Sequence, residues 1–360
     1  MPLRKLLEHA MFECISFFER IEDLHVKLKK GTYVLLIAEE TPFLEILQKE
    51  GVTLCGAIFP RVIFKGKTYT QGIIAAKLSA TSSMQIIDMD EPQQLRTDPN
   101  TSAIFAIVDG FSTQIDDFLE EFYSLLPEKT KLIGGGAGKT NLIQEPVIFD
   151  TYRFYMNAAI IITSPHTIGV GVKHGWKPLL GPFIATSCKG NVLEKINYKD
   201  AFALYKEAIE KDSDLRFDTT PFFKISQRYP LGIVRYNKDF LVREPVTTDG
   251  NTIVLVGKLD VNSVLSILKG EEEELIEAAK EAAEISRANM EGNTIQSALV
   301  VDCISRFFLL DTAFPKEVRA IASIYPSQTV LWGVLSLGEI ANANQEGIEF
   351  YNNTCVVGTL

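Results

Sequence analysis

A cysteine and an arginine three residues apart are the clearest candidates for chemistry in this chain. Cys303 ends an apolar run, and Arg306 would lie one helical turn further on. A thiol beside a guanidinium can have a lowered pKa and act as a nucleophile, although no histidine lies nearby in the sequence to act as its base. Cys303 is therefore a buried structural residue, a pocket residue or, in an enzyme alternative, a nucleophile. Arg306 is the better binding candidate, because its fork of N–H donors could hold a ligand carboxylate.

Polar residues also flank two other apolar runs. Glu339 follows the run 330–335, and Asn353 and Thr354 precede the last run of the chain. Polar residues at the ends of buried strands commonly line a pocket, so we expect Glu339 to meet a ligand ammonium group and Asn353 or Thr354 to hydrogen-bond the ligand. The alternative is a turn or capping role, which Asn and Thr often fill.

A glycine-rich stretch invites comparison with a phosphate-binding loop. Gly134, Gly135 and Gly136 are followed by Ala-Gly-Lys-Thr, but Ile133 stands where that motif needs its first glycine. The motif must also open a helix, whereas Pro146 and strand-like residues follow. We therefore reject nucleotide hydrolysis and expect a glycine loop that turns sharply or lines a ligand pocket.

Four histidines are present, and their spacing matches no metal motif. His174 lies at a glycine-flanked strand end. Such a residue is a hydrogen-bonded structural histidine, a pocket donor or an axial haem ligand. We expect no cofactor and no metal site, with haem on His174 as the alternative.

Composition excludes several classes of protein. The chain has 360 residues, of which 46% are hydrophobic and 23% charged, so it is not disordered overall. A formal charge of −10 argues against duplex nucleic acid as a partner. The five cysteines are odd in number and widely spaced, which favours a reducing compartment. Neither a membrane-spanning run nor a signal sequence is recognisable, so we expect a cytoplasmic protein.

Strand-like and helical segments alternate, which predicts a mixed α/β (α+β) fold with helices covering mixed sheets. Few strands alternate polar and apolar residues, so most should be buried on both faces. Residues 1–29 have apolar residues at heptad-like spacing, which predicts an amphipathic helix. That helix would either pack on its own domain or form a homodimer.

An internal repeat organises the rest of the chain. Residues 154–163 align without a gap to residues 350–359. Three shorter matches lie upstream in the same order, namely 127–134 with 326–333, 107–109 with 300–302, and 76–78 with 257–259. Matched pieces in a fixed order suggest duplication. We predict two similar halves, residues 30–165 and 166–360, with a ligand cleft between them.

The motifs and their order resemble the FIST family of intracellular sensory domains, over about residues 31–360. The likeness is carried by Gly134–Gly138, by Val172–Trp176 with Pro178 and Gly181-Pro182, by Gly190-Asn191 before the helix from Ala201, and by Gly338–Ile340 with Asn353-Thr354. Cys303 and Arg306 also fit a strand end where the family commonly has a Cys and an Arg.

The resemblance implies a FIST N-terminal-like half followed by a FIST C-terminal-like half. It further implies a sensory protein that binds a small ligand, amino acids among the possibilities, and passes a signal to a partner in a separate chain. Some relatives are thought to bind haem and sense gas, which is the first alternative function. The second alternative is an enzyme that uses Cys303, although we expect no enzyme.

Overall fold

The computed structural model describes residues 10–42, 48–235, 239–290, 292–342 and 347–360. Strands and helices are mixed along this part of the chain, which confirms the predicted mixed α/β class. The strands form three sheets of six strands and one sheet of eight. Among the described helices, none is both long enough and apolar enough to cross a membrane.

The first structural unit comprises residues 10–79. Its elements are β1 (Phe12–Phe18), α1 (Ile21–Lys27), β2 (Gly31–Ala38), β3 (Val52–Phe59), β4 (Arg61–Phe64), β5 (Lys67–Tyr69) and β6 (Ile73–Leu78). Strands β2 and β3 are parallel, whereas β6 and β1 add to β2 in antiparallel fashion.

The amphipathic helix predicted for residues 1–29 is wrong over residues 12–18, which form a strand. Residues 1–9 lie outside the described residues, residues 12–18 form strand β1, and the helix α1 has only seven residues. The segment 11–18 is rich in aromatic and β-branched side chains, which suit a strand at the edge of a sheet. Pairing with β6 therefore outweighs the heptad-like spacing. The homodimer expected through residues 1–29 stays a prediction.

The second unit comprises residues 82–164. Its elements are β7 (Ser83–Asp88), β8 (Ala103–Asp109), α2 (Ile115–Ser124), β9 (Lys131–Ala137), β10 (Ile148–Asp150), β11 (Phe154–Tyr155) and β12 (Ala158–Ser164). Strands β8 and β9 are parallel, and β12 and β7 add to β8 in antiparallel fashion.

The third unit begins at β13 (Gly169–Lys173) and is interrupted by an inserted subdomain, residues 177–269. The inserted elements are β14 (Lys177–Lys189), β15 (Val192–Ile196), β16 (Lys199–Asp200), α3 (Ala201–Asp212), α4 (Phe222–Ser226), β17 (Leu231–Val234), β18 (Phe240–Arg243), β19 (Pro245–Thr248), β20 (Ile253–Leu255) and β21 (Val264–Lys269). These strands form the eight-stranded sheet.

The third unit then resumes after the insertion. Its remaining elements are α5 (Glu272–Ala288), β22 (Ser297–Cys303), α6 (Ile304–Leu310), α7 (Phe314–Ser323), β23 (Val330–Ser336), β24 (Glu339–Ala341), β25 (Glu349–Tyr351) and β26 (Cys355–Thr359). Strands β22 and β23 are parallel, and β26 and β13 add to β22 in antiparallel fashion.

The three six-stranded sheets have the same topology. Their orders are β1-β6-β2-β3-β10-β11, β7-β12-β8-β9-β24-β25 and β13-β26-β22-β23-β4-β5. In each sheet the last two strands are a hairpin from another unit: the first unit closes the sheet of the third, the third closes that of the second, and the second closes that of the first. The repeat predicted between β11–β12 and β25–β26 is thus confirmed, and the pattern occurs a third time in β1–β6. The match of 76–78 to 257–259 is wrong, because the latter lies in the inserted subdomain.

Each unit has one glycine where its two parallel strands come closest. These are Gly56, Gly134 and Gly333, which lie opposite Leu35, Ala106 and Val300 in the parallel registers. A Cβ at any of the three would collide with the carbonyl oxygen of the opposite residue, so the approach requires glycine. The glycines at 134–136 therefore belong to strand β9 and do not form the loop that we predicted.

One apolar core is shared by the inner faces of the three sheets. Leu36, Phe105 and Trp332 represent the three units in it. The outer faces are covered by α1 on the first sheet, α2 on the second, and α5 and α7 on the third. Most central strands are consequently buried on both faces, as expected from their uninterrupted apolar sequences. The inserted subdomain has a separate core around α3.

Candidate functional site

The ends of the parallel strands β22 and β23 bring several predicted residues together. Cys303 ends β22 directly opposite Ser336, the last residue of β23. Helix α6 begins at the next residue, so Arg306 lies in its first turn. Asn353 and Thr354 come from the turn between β25 and β26, next to Cys303. The carboxyl ends of parallel strands are a common place for ligands in α/β proteins.

Arg306 is fully buried, and every N–H of its guanidinium donates to a protein group. Its partners are the carboxylates of Asp302 (3.2 Å from Nε) and Glu317 (3.3 Å from Nε, and again through Nη2), and the backbone carbonyls of Leu275 (2.8 Å), His174 (2.8 Å) and Asn353 (3.4 Å). The guanidinium thereby joins α5, α6, α7 and the turn before β26. It has no N–H left for the ligand carboxylate that the sequence analysis assigned to it.

The charges around Arg306 depend on one another. Burial lowers the pKa of Arg306, but the attraction of Glu317 and Asp302 outweighs burial, so this pKa rises. Burial raises the pKa of Asp302 well above its ordinary value; Glu317 adds to that rise and Arg306 opposes it. Removing one member would leave a buried charge without compensation, which typically costs about 3–5 kcal/mol.

Glu339 is also fully buried and lies at the start of β24. Its Oε1 accepts a hydrogen bond from the Ser336 hydroxyl at 2.8 Å, and its Oε2 accepts one from the backbone N–H of Thr354 at 3.2 Å. Burial raises the pKa of Glu339 well above its ordinary value, and these two hydrogen bonds only partly oppose the rise. Gly135 pairs with Glu339 across β9 and β24, so the glycine stretch lies along the side of this cluster.

Asn353 has a buried side chain in which both polar atoms lack partners among the described residues. Its backbone is left-handed, with φ of 52°, and its carbonyl is held by the indole N–H of Trp176 at 3.0 Å. The side chain is fully buried, yet neither its Oδ1 nor its Nδ2 has a hydrogen-bond partner in the described part of the chain. A buried polar atom without a partner costs about 1–3 kcal/mol, so it calls for an explanation such as a missing ligand or water.

Glu244 faces Asn353 from the inserted subdomain, where it links β18 to β19. Its Oε2 accepts a hydrogen bond from the Ser305 hydroxyl at 2.7 Å, while its Oε1 has no partner among the residues described. Burial raises the pKa of Glu244 to about 7, although Ser305 and the nearby Asn353 amide both lower it. The Asn353 amide approaches this carboxyl without reaching hydrogen-bond geometry.

We call Glu244, Cys303, Ser305, Glu339 and Asn353 the seam cluster, because it lies where the inserted subdomain meets the third unit. Three of its buried polar atoms, Glu244 Oε1 and both amide atoms of Asn353, lack partners in the structure as described. All five residues are buried.

The environment of Cys303 does not favour nucleophilic chemistry. The residue is only 3% exposed. Burial raises the pKa of its thiol well above the ordinary value, and the nearby Glu339 raises it further. The thiolate, which is the reactive form, is therefore scarce at neutral pH.

His174 is engaged at both ring nitrogens. Its Nδ1 accepts the backbone N–H of Trp176 at 2.9 Å, and its Nε2 lies 3.1 Å from the Asp239 carboxylate. An axial haem ligand needs a free ring nitrogen, so the residues present do not fit haem on His174. Its backbone carbonyl accepts a hydrogen bond from Arg306, which is not a member of the seam cluster.

Two acidic residues of this region were missed in the sequence. Glu244 interrupts the otherwise mostly apolar segment 240–246, and Glu317 lies in the amphipathic helix α7. A carboxylate within an apolar segment, such as Glu244, can indicate a buried functional residue. Neither Glu244 nor Glu317 belongs to a recognisable motif. Their neighbours in space come from distant parts of the chain.

Comparison with protein families identifies two consecutive domains. Residues 36–199 match the FIST N domain and residues 201–342 match the FIST C domain. Together these matches cover most of the chain, so the protein belongs to the FIST family of sensory domains. A comparison with curated proteins finds no match.

Proposed function

We propose that this protein is a cytoplasmic sensory protein that binds a small polar metabolite, of the amino-acid size class, at the seam cluster. One observation carries the proposal: the fully buried Asn353 amide has no partner for either of its polar atoms among the described residues. A ligand that hydrogen-bonds this amide would recover the free energy that its burial costs. Family membership supports a sensory role, and the seam cluster supplies a location for the ligand.

Binding at this place would connect two parts of the molecule. Glu244 belongs to the inserted subdomain, whereas Asn353 and Ser305 belong to the third unit. A ligand between them would favour one arrangement of the subdomain over another, in proportion to its difference in affinity for the two. A signalling partner in a separate chain would then recognise the changed surface.

We propose binding without catalysis. The Cys303 thiol is buried and protonated, and Arg306 is held entirely by protein groups. These residues build the walls of the site. Asn353 and Glu244 make the contacts with the ligand.

A ligand screen tests the proposal. Thermal unfolding of the purified protein should be measured against amino acids, their amides and other small polar metabolites. We expect at least one compound to raise the melting temperature in a dose-dependent manner, because a ligand that binds only the folded state stabilises it. The stabilisation should be lost in Asn353→Gly, which keeps the left-handed backbone available. A ligand that stabilises Asn353→Gly as strongly as the wild type would contradict the proposed site.

A further inference from the structure

The unpartnered atoms of the seam cluster define what a ligand must offer. Asn353 Oδ1 can only accept a hydrogen bond, and Asn353 Nδ2 can only donate. Above its pKa of about 7, the carboxylate of Glu244 offers Oε1 as a second acceptor, because Oε2 already receives the Ser305 hydroxyl. The protein therefore presents two acceptors and one donor within one small region.

The complementary group has two N–H donors next to one acceptor. An –NH₂ group on a carbon that also carries =O or =N– has this composition. One N–H and the adjacent acceptor can pair with the Asn353 amide in a two-bond ring, as Asn pairs with the edge of adenine. The second N–H is then free to donate to Glu244 Oε1.

Other common polar groups leave part of the cluster unsatisfied. An ammonium group has donors only, so Asn353 Nδ2 would stay without a partner. A carboxylate has acceptors only, so Asn353 Oδ1 and the acceptor Glu244 Oε1 would stay without partners. Arg306 cannot bind such a carboxylate either, since its N–H groups are fully used.

A second arginine, Arg243, also donates its hydrogen bonds to groups outside the cluster. Arg243 precedes Glu244, but its guanidinium donates to the backbone carbonyls of Lys258 (3.1 Å), Val242 (3.3 Å) and Phe350 (2.9 Å). Both arginines next to the cluster thus donate to other protein groups and not to the unpartnered atoms of the cluster.

We infer that the seam cluster recognises an amide-type edge, an –NH₂ group beside an acceptor, as found in primary carboxamides and in aminopurines. This inference rests on the proposed function, since it specifies the ligand of the same site. It replaces the earlier expectation of a ligand carboxylate at Arg306 with a neutral group at Asn353 and Glu244.

Matched pairs of compounds test the inference. Nicotinamide and nicotinate, glutamine and glutamate, and adenine and hypoxanthine differ within each pair mainly at the –NH₂ group. We expect at least one amide or amino member to stabilise the wild-type protein, with its oxygen counterpart binding about tenfold more weakly or worse. The first two pairs test carboxamides and the third tests aminopurines. The pair that shows the difference therefore tells which of these two classes of compound the site binds.

Variants locate the binding. Asn353→Gly removes the amide, and Asn353→Asp keeps the shape while replacing the donor with an acceptor. Both should lose the stabilisation by the amide member. The control is Asn157→Gly, a left-handed asparagine in the second unit that should keep the full ligand effect.

The outcomes separate the two claims. If the oxygen member of each pair stabilises as well as its partner, or if only unrelated compounds act through Asn353, the inferred edge is wrong and the sensory site remains. If no compound in the full screen stabilises the wild type, the proposed function fails as well. Equal ligand effects in Asn353→Asp and the wild type would also overturn the inference.

Discussion

Two structurally equivalent strand ends of this protein carry the same backbone turn but differ in how their side chains are satisfied. In the third unit, Cys303 ends β22 and the left-handed Asn353 precedes β26. In the second unit, Asp109 ends β8 and the left-handed Asn157 precedes β12, with φ of 51° against 52° for Asn353. The equivalence follows from the matching registers of the parallel strand pairs, in which Ala106 corresponds to Val300. The sequence match of 107–109 to 300–302 is therefore wrong by one residue.

The second-unit end is closed by its own hydrogen bonds. The Asp109 carboxylate accepts the backbone N–H of Asn157 and the side-chain amide of Gln144, each at 2.8 Å. The Asn157 side chain accepts the Ser112 hydroxyl at 2.5 Å and donates to Asp90 at 3.0 Å. At the third-unit end the corresponding Asn353 amide has neither kind of partner in the described structure. The turn alone therefore does not mark a site, and the missing partners are the basis on which we propose one.

The largest expected difference is in the free energy of unfolding that is lost when Arg306 or Ser112 is replaced. Ser112 occupies the position in the second unit that Arg306 occupies in the third. Arg306→Met should lower the free energy of unfolding by about 4 kcal/mol, because it leaves the buried Asp302 and Glu317 without their cation. Ser112→Ala should cost about 1 kcal/mol, the loss of ordinary hydrogen bonds. Urea unfolding measures both values. Equal costs would show that the buried charges at the third-unit end are not coupled as described.

Glu244 gives the third-unit end a pH dependence. Its pKa is about 7 in the folded protein against 4.5 ordinarily, so the folded state holds this proton more tightly than the unfolded state. Its contribution to stability is full below pH 4.5 and is lost as the pH rises through about 7, amounting to about 3 kcal/mol.

Comparison with Glu244→Gln isolates this effect, because Asp302 and Glu339 titrate in both proteins. The free energy of unfolding should be measured by urea between pH 5 and 8 (about the range in which Glu244 titrates). The difference between variant and wild type should grow in favour of the variant as the pH rises. A difference that stays constant over this range would contradict the assigned titration.

Gly134 and Gly333 test whether the parallel strands of the second and third units pack in the same way. Gly134→Ala and Gly333→Ala should each cost about 2 kcal/mol or more, because the new Cβ meets a backbone carbonyl that cannot move aside. Gly358→Ala should cost less, since its Cβ would meet the flexible end of the Ile133 side chain. Thermal or urea unfolding checks the ranking. If Gly358→Ala were the most costly, the proposed close approach would be incorrect.

The smallest expected changes in the free energy of unfolding come from replacing the two asparagines, Asn157 and Asn353, by glycine. Asn157→Gly should cost about 1 kcal/mol through its lost hydrogen bonds to Ser112 and Asp90. Asn353→Gly should cost close to nothing without ligand, because its amide has no bonds to lose among the described residues. Glycine accepts the left-handed backbone at both positions. Urea unfolding measures both losses. A larger loss for Asn353→Gly than for Asn157→Gly would indicate that the Asn353 amide is hydrogen-bonded within the protein.

The sequence was informative where a polar residue follows or precedes an apolar run. Cys303, Arg306, Glu339, Asn353 and Thr354 were all found in this way, and the structure places them together. Their individual ligand roles could not be read from the sequence, because the saturation of Arg306 depends on Glu317 and on carbonyls from distant segments. Those roles remain predictions, apart from the carboxylate at Arg306, for which the geometry leaves no donor.

The parts that the sequence did not reveal depend on contacts across the chain. Glu244 reaches the site from an inserted subdomain, about 60 residues before Cys303. The third copy of the repeat, β1–β6, retains the topology and Gly56, but the sequence analysis did not detect it, because only the short pattern Leu54-x-Gly56 is shared with the other two copies. Strand β1 was read as a helix because its pairing with β6 is a tertiary effect.

A crystal structure with the compound that gives the largest thermal stabilisation tests the central claim most directly. We predict electron density for the compound between the inserted subdomain and the third unit, within hydrogen-bond distance of the Asn353 amide and Glu244 Oε1. The Asn157 end should be unchanged and empty of ligand. Density for the compound at another place, with the Asn353 amide hydrogen-bonded to protein groups, would contradict the account.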